Sequence, residues 1–302
     1  MCVLCAFAVA HPAGQSSVED AFPAAPSAFP WPDGPGMGGT VTWTGVAGFV
    51  FEFAGVRIAF DPFVTRPNLL ATLFRAAKSD RGAVARAFSG LDAVFVGHTH
   101  FDHAMDLSAV AAASPRAVIH GSATTVEACR RLGVDPARRV TATDGARFDV
   151  GPFRVEAVRA EHGVVPVVEW FDRMELPARG MPCTPFRWPR GEVLAWRVEV
   201  AGRSFHVQGS AGIDDAALAR QQPVDVLIAC LAARKGTPRY LERLCDRLRP
   251  SVLVPCHHDD FFRPLSEPPR PIAALDWDGF VADAAAIGTP VWLPTRGVAS
   301  PI

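Results

Sequence analysis

Four residues of types that bind metal ions stand within six positions of one another: His98, His100, Asp102 and His103. His98 and His100 follow a short apolar run over residues 93–96, which predicts a strand. Side chains two positions apart in an extended segment point to the same face, so both imidazoles can bind one ion. Asp102 and His103 begin the next predicted helix and can bind a second ion beside the first. Imidazole nitrogen and carboxylate oxygen are ligands of zinc and similar divalent cations, so the run predicts a metal site.

The segments that must position this run alternate between strand-like and helix-like patterns. Short β-branched or aromatic runs separated by glycine predict hairpin strands over residues 41–44, 49–53 and 56–60. Further strands are predicted over residues 93–96, 117–119, 153–158, 193–200, 204–208, 226–228, 252–254 and 291–293. Apolar residues at helical spacing predict helices over residues 69–87 (broken near Ser79), 104–113, 124–132, 216–220, 239–247 and 280–286. This alternation favours β-sheets flanked by helices.

Composition and charge limit the partners. The chain has 302 residues, of which 49% are hydrophobic, enough for a large buried core. Thirty Lys and Arg residues against 31 Asp and Glu residues give a net charge of −1, with the basic residues scattered. Binding to nucleic acid or to an acidic membrane needs a concentrated basic face, so neither partner is expected. No stretch approaches the roughly 20 apolar residues of a membrane span, and the oligomeric state is left open.

The N-terminal region differs from the rest in composition. Residues 11–38 are rich in Pro, Ala, Gly and Ser, so we predict an N-terminal extension over residues 1–38 and one domain over residues 39–302. Residues 3–10 are apolar and end in small residues, but no Lys or Arg precedes them. They are either the remains of a signal peptide, which would imply export, or part of a surface arm. Seven cysteines without disulfide spacing favour a reducing compartment, so the expected location is cytoplasmic.

In its sequence setting, the histidine run resembles the signature of the metallo-β-lactamase superfamily. The wider match is to the branch that contains ascorbate-6-phosphate lactonase-like and N-acyl-phosphatidylethanolamine phospholipase D-like hydrolases. The segments that carry the resemblance are residues 43–49 (WTGVAGF), 61–63 (DPF), 96–103 (VGHTHFDH), 159–163 (RAEHG) and 254–261 (VPCHHDDF). The resemblance implies an α/β (α+β) fold, a four-layer αββα sandwich of two mixed β-sheets flanked by helices.

The same resemblance implies metal ligands and a metal. It gives two ligand sets, namely His98, His100 and His162 for a first ion, and Asp102, His103 and His257 for a second. Zinc is the expected metal, with manganese or iron as alternatives, and one or two ions bind. His257 and His258 compete for one ligand position, which the local spacing favours for His257. His258 then becomes, with Asp259 and Asp260, a candidate for substrate contact or proton transfer.

Other residues take supporting roles by this resemblance. Asp61, at the end of a predicted strand, corresponds to a buried aspartate that supports a ligand. Asp106 is a second candidate for that role, or a charge at the N-terminus of its helix. Ser210 stands where the superfamily usually has an aspartate that bridges both ions. Because a neutral hydroxyl is a poor bridge, either the second ion binds more weakly or Asp214 or Asp215 substitutes.

The implied function is hydrolysis, in which metal-activated water attacks a lactone, amide or phosphodiester bond of a small-molecule or lipid-like substrate. Asp102 would be catalytic: it would orient the water and carry a proton to the leaving group. The alternative function, favoured by Ser210, is a non-hydrolytic metal-binding or regulatory module that retains the fold. A nuclease of the same superfamily is disfavoured by the near-neutral charge.

A proline-rich stretch over residues 164–190 is too long for a plain connection and predicts a functional loop. Its aromatic residues either form an apolar wall for the substrate or only pack the loop; they are Trp170, Phe171, Phe186 and Trp188. Two isolated histidines, His120 and His206, lie on predicted strands, and we interpret them as core histidines and not as ligands.

Overall fold

The fold was obtained as a computed structural model, which describes residues 38–68, 76–164, 176, 184 and 187–302. The strands are β1 (Thr40–Gly45), β2 (Gly48–Phe53), β3 (Val56–Phe60), β4 (Ala93–Phe95), β5 (Val118–Gly121), β6 (Arg139–Thr141), β7 (Arg147–Val150), β8 (Phe153–Ala160), β9 (Val193–Val200), β10 (Arg203–Gln208), β11 (Val226–Cys230), β12 (Val252–Cys256) and β13 (Ala299–Pro301). The helices are α1 (Arg81–Phe88), α2 (Phe101–Ala104), α3 (Leu107–Ala113), α4 (Ala123–Arg131), α5 (Asp215–Ala219), α6 (Tyr240–Leu248) and α7 (Trp277–Ile287).

The strands of these residues form two mixed sheets. The first sheet has the order β13-β1-β2-β3-β4-β5-β6, antiparallel from β13 to β3 and parallel from β3 to β6. The second has the order β12-β11-β10-β9-β8-β7, parallel from β12 to β10 and antiparallel from β10 to β7. Each sheet thus has an antiparallel section and a parallel section. The parallel strands need crossover connections, which are usually helices.

An aromatic core joins the two sheets face to face. Phe51 of β2 makes edge-on contacts with Phe60 of β3 and Phe205 of β10, with ring centroids 5.5 and 5.1 Å apart. Phe95 of β4 lies 5.1 Å from Trp196 of β9. Such pairs stabilise a core by about 0.5–1.5 kcal/mol each beyond the burial of their area. The sheets are thus held together by side chains at alternate positions of each strand, which point inward.

Helices cover the outer faces of both sheets. Val84 of α1 and Val110 of α3 are buried in one cluster with Val94 of β4. Leu244 of α6 and Phe280 of α7 are buried with β11 and β12 on the other side. On α6 the buried residues recur at helical spacing, at Tyr240, Leu241, Leu244, Cys245 and Leu248. The predicted four-layer αββα sandwich is confirmed.

Several predicted elements differ in detail from those observed. The predicted strand over residues 291–293 is wrong, since Val291 forms only an isolated bridge with Leu253. Pro290 and Pro294 flank it and supply no backbone N–H for a ladder. The helix predicted over residues 104–113 is divided into α2 and α3. The short strands β6, β7 and β13 were not predicted; β13 ends in proline, which an edge strand tolerates.

Some predictions fall on residues outside the described ranges. These residues include 1–37, 69–75 and most of the predicted loop, namely 165–175, 177–183 and 185–186. The N-terminal extension and the domain boundary at residue 39 therefore stay predictions. Among the residues that the structure does describe, none of the helices is both long and apolar enough to cross a membrane.

Candidate metal centre

The predicted ligands stand where strands end. They are His98 and His100 after β4, Asp102 and His103 in α2, His162 after β8, and His257 directly after β12. In the first sheet β4 is fully buried, and the chain leaves it through Val96, whose N–H donates to the carbonyl of His120. Both sheets thus deliver side chains to one edge of the sandwich.

The structure brings His98, His100 and His162 together, with one ligand atom of each within 4.8 Å of the others. His98 Nε2 lies 3.0 Å from His100 Nδ1. His162 Nδ1 donates to the carbonyl of Gly163 at 2.7 Å, which places the lone pair of this imidazole on Nε2. We refer to these three residues as the first triad.

A second triad of Asp102, His103 and His257 meets the same distance criterion, and all three residues are buried. His257 Nε2 lies 3.1 Å and His103 Nε2 3.9 Å from Asp102 Oδ2. The two triads are neighbours, because the rings of His98 and His103 are 3.9 Å apart between centroids. Five imidazoles and one carboxylate therefore converge on one small region.

The charges of these groups fit a bound divalent cation. Burial lowers the pKa of His98 well below its ordinary value, and the nearby imidazoles of His103 and His100 lower it further. Burial would raise the pKa of Asp102, but His103 and His257 outweigh that effect and hold the pKa well below its usual range. A neutral imidazole and an ionised carboxylate are the forms that bind a metal. The donor types of both triads suit zinc, and so do the protonation states that His98 and Asp102 favour.

Asp61, the predicted supporting aspartate, lies beneath the second triad. Its Oδ2 is 3.0 Å from His103 Nδ1, and its Oδ1 accepts from Gly97 N at 2.6 Å. Burial would lower the pKa of His103, but the charges of Asp61 and Asp102 outweigh burial and raise it. A Cβ on Gly209 would overlap Asp61 Oδ2, so glycine there makes room for the carboxylate. The Asp61 carboxylate is thus enclosed by His103, Gly97 and Gly209.

Ser210 is buried but belongs to neither triad. Gln208 Nε2 donates to the carbonyls of Ser210 and Gly212 at 2.9 and 2.7 Å, and so holds this loop in place. The proposed substitutes lie elsewhere. Asp214 accepts from Ala217 N at the start of α5, and the exposed Asp215 pairs with Arg243. Neither of these two carboxylates therefore takes the bridging place.

Two predicted roles are not supported by where the side chains lie. His258 is buried outside both triads, with its ring stacked on Trp43 at 4.7 Å, and burial lowers its pKa to about 4. This placement argues against proton transfer by His258. Asp106 accepts from the backbone N–H groups of Val64 and Thr65, both at 2.9 Å. It therefore fixes the segment after Asp61 and supports no imidazole directly.

The isolated histidines and the loop aromatics have separate surroundings. His120 stacks on Phe95 at 4.7 Å, and burial lowers its pKa to about 4. His206 is buried on β10, where its Nε2 lies 3.0 Å from Gln208 Oε1. Trp188 is buried in the core between the first sheet and its helices, which favours packing, the second of the two roles predicted for it. Trp170, Phe171 and Phe186 lie outside the described residues.

Sequence reasoning missed two groups near the site. One is Gln208, which links His206 to the Ser210 loop. The other is the buried pair of Asp259 and Arg66, with Asp259 Oδ2 2.9 Å from Arg66 Nη2. The sequence predicts Asp259 only as a candidate for substrate contact or proton transfer. The two residues are 193 positions apart, so no local spacing could reveal the pair.

Known proteins are similar to this chain in sequence and in fold. The chain is 26% identical over 269 residues to a UPF0173 metal-dependent hydrolase of Methylobacterium nodulans, covering 86% of this chain and 98% of that protein. In structure it is similar to the metallo hydrolase Igni18 of Ignicoccus hospitalis, with a TM-score of 0.58 and 17% identity over 87% of this chain and 98% of that one. It is also similar to an isothiocyanate hydrolase from Delia radicum gut bacteria, with a TM-score of 0.54 and 16% identity over 87% of this chain and 99% of that one.

The two similar structures are only 17% and 16% identical to the chain in sequence, so they support the fold alone. They agree with the two mixed sheets and outer helices described above. The model of the beta-lactamase superfamily domain matches residues 56–258, which is more than half of the chain and includes every residue of both triads. The narrower lactonase-like and phospholipase D-like branch is not distinguished by these matches. The chain belongs to the metallo-β-lactamase superfamily.

Proposed function

We propose that the protein is a metal-dependent hydrolase that cleaves a lactone, amide or phosphodiester bond of a small-molecule or lipid-like substrate. The observation that carries the proposal is the pair of adjacent triads, in which each set of ligand atoms lies within 4.8 Å. A bound divalent cation lowers the pKa of water and polarises the bond to be cleaved. The UPF0173 relative, named a metal-dependent hydrolase, supports the same reaction class.

Different residues of the site have different roles in the proposed reaction. The first triad would hold one ion through its three imidazoles, a ligand set that catalytic zinc sites use. In the second triad Asp102 stays ionised, because His103 and His257 favour its charged form. An ionised Asp102 can orient water through a carboxylate oxygen and accept its proton there, then return it to the leaving group. Asp61 keeps the His103 ring in place.

Ser210 favours a second candidate, a non-hydrolytic metal-binding module. With serine at position 210, and with Asp214 and Asp215 engaged elsewhere, the second ion would have one negative ligand fewer, which weakens its binding. The two candidates differ in a simple way. Both bind metal at the first triad, but only the hydrolase turns over a substrate.

The experiment is a substrate panel with zinc-, manganese- or iron-loaded protein. The panel contains a lactone, a β-lactam, a phosphodiester and an isothiocyanate, the last because a protein of this fold hydrolyses it. We expect turnover of at least one compound, abolished in His98→Ala and retained in His120→Ala. The control removes a buried histidine outside both triads. Stoichiometric metal without turnover of any compound would contradict the hydrolase and support the binding module.

A further inference from the structure

Two residues at the edge of the metal centre share an unusual backbone conformation. Val46 and His257 both have φ of 54°, in the left-handed region that residues other than glycine seldom adopt. Val46 is β-branched, for which this conformation is a clear outlier. The two residues are joined directly, because His257 N donates to the Val46 carbonyl at 2.7 Å. Such backbone persists only where surrounding contacts hold it.

The ligand rings differ in how they are held. In a metal-binding imidazole, the ring nitrogen that does not bind the metal usually carries a proton and donates a hydrogen bond to a carboxylate or carbonyl. His103 has Asp61 for this purpose, and His162 has the carbonyl of Gly163. His98 Nδ1 and His257 Nδ1 are both buried and have no hydrogen-bond partner in the described part of the chain, and His257 is the one of the two in the second triad. Its position therefore depends on its backbone.

Asp259 fixes the backbone of Val46, and through it the backbone of His257. Its Oδ1 accepts from Val46 N at 2.7 Å, so one carboxylate fixes the residue to which His257 is bonded. Its Oδ2 pairs with Arg66 Nη2 at 2.9 Å, and both side chains are buried, with 0% and 3% exposure. Gly45, with φ of 105°, leaves room for the Arg66 guanidinium beside this pair. The buried ion pair thus keeps the Asp259 carboxylate in one orientation.

We propose that Asp259 is a positioning residue for the second metal ion. It holds Val46 in the left-handed conformation, and Val46 in turn fixes the backbone of His257 so that its Nε2 faces Asp102. The inference rests on the proposed metal-dependent function. It adds that the second triad depends on an aspartate that is not one of its three ligands.

The test compares two variants that differ only in the hydrogen-bond acceptor for Val46 N. Both carry Arg66→Met, so that the Arg66 guanidinium is not left buried without its partner. Arg296, whose Nη1 lies 3.7 Å from Asp259 Oδ2, is kept in both variants, so its effect is common to the two. Asp259→Asn keeps an acceptor oxygen, whereas Asp259→Leu has the same size without one. Zinc affinity is measured by chelator competition on the full chain, and cobalt(II) spectra report the geometry of each site.

We expect the leucine variant to bind the second zinc about 10- to 100-fold more weakly than the asparagine variant. The first site should change less than about twofold, since its triad has no link to Val46. The control is Asp225→Leu, which removes an acceptor for the Ser204 N–H at the other end of β10. If the leucine variant does not fold, Asp259→Ala in the same background removes the acceptor without added bulk.

Equal affinity of the second site in the two variants would overturn the inference. So would an equal loss in the Asp225→Leu control, because that would mark a general loss of stability. Wild-type protein that binds no zinc would instead overturn the metal centre itself, a result that the comparison of variants cannot produce. The failure of the inference and the failure of the proposed function are therefore separate outcomes.

Discussion

Replacing Gly209 with alanine is expected to weaken the second metal site without altering any ligand. A Cβ at this position would lie well inside 3.0 Å of Asp61 Oδ2, a separation that real Cβ atoms do not show. The Asp61 carboxylate must then retreat from its place 3.0 Å from His103 Nδ1. Oδ2 must move by about 0.6 Å to reach 3.0 Å from the new Cβ, and a movement of that size away from His103 lengthens the Asp61–His103 separation to about 3.6 Å, too long for a hydrogen bond.

The expected magnitude follows from this displacement. Loss of a partner that orients a ligand lowers metal affinity about 10- to 100-fold, or about 1.4–2.7 kcal/mol. The overlap itself should lower the free energy of unfolding by about 1–3 kcal/mol.

Chelator competition with zinc and chemical unfolding measure the two effects. The control is Gly82→Ala on the exposed face of α1, where the nearest atoms to a new Cβ are 3.4 Å away. That change should be neutral or stabilise the helix. Wild-type zinc affinity at both sites of the Gly209→Ala protein would refute the role given to Asp61.

Three further predictions concern stability. The free energy of unfolding should fall as the pH drops from about 6.5 towards 4, because burial holds the pKa of His206 at about 4 and the unfolded state binds the proton first. Unfolding titrations should show a loss of about 2 kcal/mol at pH 5 from this residue, absent in His206→Gln. Phe280→Ala should cost about 3–5 kcal/mol in chemical unfolding, since the ring is fully buried, yet leave zinc stoichiometry unchanged. Zinc at about 100 times its dissociation constant should stabilise the wild-type chain by about 2.7 kcal/mol in thermal unfolding, and should stabilise His162→Ala much less. A stability that does not change with pH would contradict the first of these predictions. A stability that does not change with zinc would contradict the third.

Local spacing was enough to predict much of the site. His98 and His100 follow a short buried strand at a separation of two, so their convergence could be expected from strand geometry. The more distant His162 and His257 were placed through a resemblance of the surrounding segments, and the structure brings both beside the run. The layered fold followed from the alternation of strand-like and helix-like patterns, which depends on local periodicity.

The remaining features depend on contacts between distant parts of the chain. Nothing around Asp259 indicates that it pairs with Arg66 and holds Val46. His258 resembles a polar site residue in sequence, but packing against Trp43 places it in the interior. The strands β6 and β13 are too short to leave a periodic signal, and they form because longer neighbours offer free edges.

Zinc content per chain tests the metal centre most directly. Wild-type protein loaded with zinc and freed of excess metal should retain one tightly bound ion and bind a second with lower affinity. His98→Ala should lose the tight ion, and His257→Ala should lose only the weaker one, because the two residues belong to different triads. Fewer than one tightly bound ion per wild-type chain, with a content unchanged in His98→Ala, would contradict the account.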